Sequence, residues 1–175
     1  MNVVNINNLP KALEIDNFIS EKMENWSIDI EFIYVANFKN TKILRDFIEV
    51  ICKRLWIPHN EVSKFILIVD ELNNNAIEYW TELNWKNKLR IKADSNCKLI
   101  NINIEVEDTG KWVSHKTALE METLRAHQLK RWYVDHTSIR WRGLFLIIVK
   151  TVDRLYFKDT ESGGLIVWIK KEIKI

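Results

Sequence analysis

The clearest pattern in the chain is the strict alternation in "KLININIEVED", where between Leu99 and Glu105 the apolar Ile100, Ile102 and Ile104 alternate with polar residues. A period of two predicts a strand with one buried face. "SIDIEFIYVANF" (Ser27–Phe38) alternates in part and is β-branched and aromatic, which also predicts a strand. "NTKILRDFIEVICKRLW" changes to helical spacing, with Ile43, Leu44, Phe47, Ile48, Ile51 and Leu55 on one side and Asn40-Thr41 as the expected cap. Pro58 opens a second helix through "HNEVSKFILIVDELNNNAIEYW", with Val62, Phe65, Ile66, Val69, Leu72, Ala76 and Ile77 expected on its buried side. "KLRIKA" precedes the alternating strand. After it, Val113 to Ile139 is polar, basic and without period, and is expected to be irregular. Arg142–Val152 predicts a helix, and "RLYFKD" and "GLIVWIKKEI" predict a closing hairpin around Ser162-Gly163-Gly164.

Strands and helices in this order do not alternate, which excludes a doubly wound parallel sheet. The expectation is an α+β fold: a two-layer sandwich with a largely antiparallel mixed sheet and its helices on one face. Residues 1–26 are expected to be an N-terminal appendage, and 27–175 the main domain.

Composition narrows the class. The 175 residues are 47% hydrophobic and 29% charged, with a net charge of +2 and no long basic run, so direct nucleic-acid binding is not expected. No apolar run is long enough for a bilayer, and the N-terminus lacks a basic start followed by an apolar stretch, so no membrane role and a cytoplasmic location are expected. Cys52 and Cys97 lack metal-ligand spacing and are expected to be inert thiols.

Three short motifs carry chemistry. In "DELNNNA", Glu71 and Asn75 are four apart and share a helix face, so the carboxylate can take a proton while the amide oxygen ligates a cation. In "VEDTG", Asp108 ends the alternating strand just before a turn at Gly110, where a carboxylate can accept a hydrogen bond from an amino group. In "RWRGLFLIIVK", Gly143 opens an apolar helix whose free N–H groups suit phosphates, with Arg140 and Arg142 beside it. Each alone is common: a solvated helix face, an Asp-Gly turn, a close-packed helix start. No Gly-x-x-x-x-Gly-Lys-Ser/Thr run is present, which excludes a P-loop.

Together and in this order, the three resemble the GHKL or Bergerat-fold ATPases, and among them the anti-sigma-factor serine kinases. Glu71-x-x-x-Asn75 is similar to that family's Asn-box, Asp108-x-Gly110 to its first glycine box, and Arg142-Gly143-Leu144-Phe145-Leu146 to its second. The resemblance implies ATP and Mg²⁺ as cofactors. Glu71 would be the general base toward a serine hydroxyl, Asn75 the Mg²⁺ ligand and Asp108 the adenine-binding carboxylate, with Gly110 in its turn. Gly143, Leu144 and Phe145 would offer amides to the phosphates. Residues 113–139 would be the lid over ATP, with Arg125, Lys130, Arg131, Arg140 or Arg142 as its charge partners. The implied partners are an anti-sigma-factor antagonist protein and a sigma factor, and the implied assembly is a homodimer. The alternative is a non-catalytic protein-binding module on the same fold.

One departure is systematic. The chain has 8 Trp and only 4 Gly, where about 7% Gly, roughly a dozen, is usual. The family has glycine where this chain has Trp112, Trp141 and Trp80, and Trp56 and Trp85 also stand at turn-like points. An indole at 112 or 141, both within the expected nucleotide site, would block the close backbone approach that glycine allows. The expectation is that UGA codons read as glycine in the cell have been rendered here as tryptophan. Trp168, in an apolar strand, is expected to be a true tryptophan; Trp26 and Trp132 fit either reading. A smaller departure is Leu165, where the family often has Thr.

Overall fold

The computed structural model describes residues 1–9, 14–80, 85–110, 116–131, 148 and 150–175. Among these, six strands form one sheet in the order β1-β2-β3-β4-β6-β5. They are β1 (Asn2–Asn5), β2 (Ser27–Val35), β3 (Lys86–Ser95), β4 (Leu99–Glu107), β5 (Arg154–Asp159) and β6 (Leu165–Lys174). β1 is parallel to β2, and the other neighbours are antiparallel. The helices are α1 (Ile15–Lys22), α2 (Phe38–Arg54), α3 (His59–Asn75) and α4 (Ala118–Arg131). The fold is α+β with a mixed, largely antiparallel sheet, as the order of the sequence patterns predicts.

Register explains the core. Phe32, Leu89, Val106, Val167 and Phe157 stand side by side across five strands, and Ile30, Ile91, Ile104, Ile169 and Leu155 form the next row. All but the half-buried Phe157 are buried, because alternation puts them on one face. Helix α2 packs Phe47 against Phe32, ring centroids 4.6 Å apart. The opposite face carries cross-strand ion pairs, Arg90–Asp29 at 2.9 Å and Lys88–Glu107 at 3.0 Å, that keep it wet. There Trp168 stacks on Tyr156 at 4.8 Å, the packing expected of a genuine strand tryptophan.

Several elements differ from the sequence expectations. The cap of α2 is Asn37, whose side chain accepts from the Lys39 N–H. Asn40 instead donates to the Val35 carbonyl, and Thr41 is buried inside the helix, donating to Asn74. On α3, Ile68, Asn73 and Asn75 join the buried side, while Ile66 and Ile77 are only partly covered. The region expected to be irregular contains α4, started by Thr117 and Glu120 in reciprocal hydrogen bonds. Of the predicted helix at 142–152, residues 148, 150 and 151 are helical, Val152 is not, and 142–147 and 149 lie outside the described residues. Residues 1–26 contribute β1, α1 and the core side chains Val4, Ile6 and Ile19. Cys52 is buried, which pushes its thiol up, and Cys97 is exposed. Among the described residues, no helix is long and apolar enough to cross a membrane.

Phe32 and Phe47 join the two layers, so Phe32→Ala is expected to cost about 3–5 kcal/mol. Thermal unfolding should show a melting temperature lower by roughly 10 °C.

Candidate functional site

The apolar rows give way to polar residues at one end of the sheet. Tyr34, at the end of β2, lies opposite Asn87 near the start of β3. Asp108 directly follows β4, and its N–H donates to the Leu165 carbonyl at the start of β6, at 3.1 Å. Tyr34, Asn87, Asp108 and Leu165 are all buried on the helix side. Buried polar groups need partners. The Tyr34 hydroxyl donates to Asn73 of α3, whose own amide donates to the Val69 carbonyl at 2.6 Å. Burial, first, and the nearby Asp108 charge hold the Tyr34 phenol well above its usual range.

Asp108 is the centre of this end. Its Oδ1 accepts from the Gly110 N–H at 2.7 Å and the Leu165 N–H at 3.3 Å. Among the described residues its Oδ2 accepts no hydrogen bond. Burial pushes its carboxyl up to about 7, against the two backbone donors, which favour the ionised form; Glu107 adds to the rise. Gly110 has φ +63, and a Cβ there would sit 1.8 Å from the Gly163 carbonyl oxygen. At Gly164 a Cβ would sit 2.0 Å from the Asp108 carbonyl oxygen. Both glycines are therefore needed by the protein itself, since two backbones meet where no side chain fits.

On α3 the residues of "ELNNN" have different fates. Asn73 binds Tyr34 and Asn74 accepts from Thr41, 3.3 Å away. Glu71 and Asn75, at one edge of the helix's buried arc, make no side-chain hydrogen bond or ion pair among the described residues. Asn75 is only 9% exposed. Glu71 is half-buried, and burial together with the charges of Asp70 and Glu78 raises its pKa. A π turn, Ala76–Trp80, follows α3 directly; such turns are frequent near functional sites.

Asp108 and Gly110 thus come together with the β5–β6 turn, and Glu71 and Asn75 with each other. No hydrogen bond joins the two pairs; α3 reaches the sheet end through Asn73 and Tyr34. Arg125, a candidate lid cation, donates to the Leu155 carbonyl of edge strand β5 at 3.0 Å and pairs with Glu122 at 2.6 Å. Lys130 and Arg131 lie on α4. Trp112, Arg140, Trp141, Arg142, Gly143, Leu144 and Phe145 lie outside the described residues. Tyr34, Asn73 and Asn87 were not predicted. The alternation of β2 and β3 places Tyr34 and Asn87 on the inner face, but nothing in the sequence signals that their row is polar.

No family model matches the chain, and no curated protein matches it. One similar solved structure is a chain in the crystal structure of the SiaB–SiaC complex from Pseudomonas aeruginosa. The likeness covers 93% of this chain and 100% of that one, at 10% identity and a TM-score of 0.52. Such a likeness shows a shared fold.

The Asp108 carboxyl has a direct consequence for stability. Its pKa in the unfolded chain is about 3.9, so between that pH and about 7 the folded state holds a proton that the unfolded state has lost. Stability therefore falls as pH rises through this window, by at most about 4 kcal/mol. Asp108→Asn keeps an oxygen for the Gly110 and Leu165 N–H groups but cannot ionise. Urea unfolding should find the variant more stable than the parent at pH 8 and close to it at pH 4. Equal stability at pH 8 would show that the carboxyl is not strained by burial.

Proposed function

We propose that the chain is an ATP-dependent serine-protein kinase of the anti-sigma-factor type, phosphorylating an antagonist protein and able to sequester a sigma factor. The observation that carries this reading is the state of Glu71 and Asn75. Their neighbours Asn73 and Asn74 are used inside the fold, while these two, the pair that the resemblance assigns to chemistry, are left without partners among the described residues. A fold shared with a chain solved in a two-protein complex supports a role exercised through a protein partner.

The residues fit the implied cofactors. Oδ2 of Asp108, which accepts no hydrogen bond among the described residues, suits the adenine amino group, and the amide oxygen of Asn75 suits a magnesium ion that keeps phosphate and water ligands. Mg²⁺·ATP, when bound, supplies the phosphoryl group. Glu71 takes the proton from the serine hydroxyl. Its pKa, raised by burial and by the charges of Asp70 and Glu78, makes it a better proton acceptor than an exposed glutamate. Positioning and electrostatics then do most of the work. A second reading, a binding module without turnover, follows if Trp112 and Trp141 stand as written, because an indole at either point obstructs the nucleotide.

Calorimetric titration with Mg²⁺·ATP should show binding to the Trp112→Gly, Trp141→Gly protein and little to the chain as written. Negligible binding to both would leave the binding module. In the glycine form, Glu71→Ala should keep ATP affinity while serine phosphorylation of the antagonist, read by mass spectrometry, falls about 10²-fold or more.

A further inference from the structure

Among the described residues, three that are not glycine have positive φ: Asn25 at 48°, Trp26 at 59° and Trp56 at 59°. Asparagine visits this left-handed region readily, whereas a bulky side chain there is an outlier. Tryptophan makes up 8 of 175 residues, yet it supplies both of the other two positions.

The surroundings of each ask for glycine. Asn25 and Trp26 are the central pair of a two-residue reversal. The Glu24 N–H donates to the Ser27 carbonyl at 2.9 Å, and the Ser27 N–H returns the bond to Glu24 at 2.8 Å. With φ positive at both central residues this is a type I′ turn, for which Asn-Gly is the favoured pair. Trp56 follows the last residue of α2's cap, Leu55. Its N–H donates to the Lys53 carbonyl at 3.1 Å, and the Ile57 N–H reaches back to the Cys52 carbonyl at 3.0 Å. That is a Schellman ending: Trp56 occupies the left-handed position that glycine usually fills, Ile57 packs into the core beyond it, and Pro58 comes next. Neither indole repays its backbone by packing, since Trp26 is 57% and Trp56 73% exposed. Trp168, by contrast, has an ordinary strand backbone and stacks on Tyr156. Trp85 also has no positive φ, so the backbone does not place it with the other two.

We infer that positions 26 and 56 are glycine in the protein the cell makes, written as tryptophan because their codons are UGA decoded by a glycine tRNA. This assigns position 26, which the sequence left open. It rests on backbone geometry and is independent of any nucleotide site.

The gene should carry UGA at 26 and 56 and UGG at 168. Peptide mass spectrometry of the protein purified from its own cells should find glycine at the first two and tryptophan at the third. UGG at 26 or 56, or a tryptophan mass there, overturns the inference. Stability gives a separate readout on the chain as written: Trp26→Gly and Trp56→Gly should each raise the melting temperature by on the order of a few °C, and Trp168→Gly should lower it. A loss of stability in either of the first two would show that the indole is doing something there and would count against the assignment.

Discussion

A single carboxyl oxygen, Oδ1 of Asp108, ties the end of β4 to the start of β6. It accepts from Leu165 at one end and from Gly110 at the other, while the Asp108 N–H binds the Leu165 carbonyl. The clamp works only because the two backbones approach more closely than any Cβ would permit, at Gly110 and again at Gly164. From this point the β4–β6 ladder runs in register, Glu107 opposite Ile166 through to Leu99 opposite Lys174. The apolar rows beneath follow from that register. The same clamp leaves Oδ2 without a hydrogen bond among the described residues, at the polar end of the core.

How much of this was legible in the sequence depended on whether burial was one-sided. β4 could be read because one of its faces is core and the other carries Asn and Glu, so a period of two is written plainly. Helix α4 could not, because among its described side chains only Met121 is fully buried, with Ala118 and Leu124 partly covered, which gives no plain apolar stripe. Its signal was the Thr117-x-x-Glu120 cap instead. β1 has four residues with one buried, too short for any period to show. The start of α2 was misplaced by local ambiguity: Asn37 and Asn40 are both good caps, and only the carbonyl of Val35, supplied by the strand before, decides what Asn40 does. The site shows the same division. Asp108 with Gly110, and Glu71 with Asn75, are pairs defined by short spacing and could be seen. The three consecutive asparagines look alike in sequence and are separated only by what the sheet and α2 place against them.

Asp108 also sets stability against recognition. The two backbone donors at Oδ1 favour the carboxylate, but burial outweighs them and favours the neutral acid. An amino-group donor arriving at Oδ2 favours the opposite form, the carboxylate, whose lone pairs are both open. A carboxyl pushed up to about 7 sits between these demands, so that a modest interaction at Oδ2 decides its charge. An asparagine would serve the fold better at alkaline pH but would turn either a donor or a weaker acceptor toward the same point.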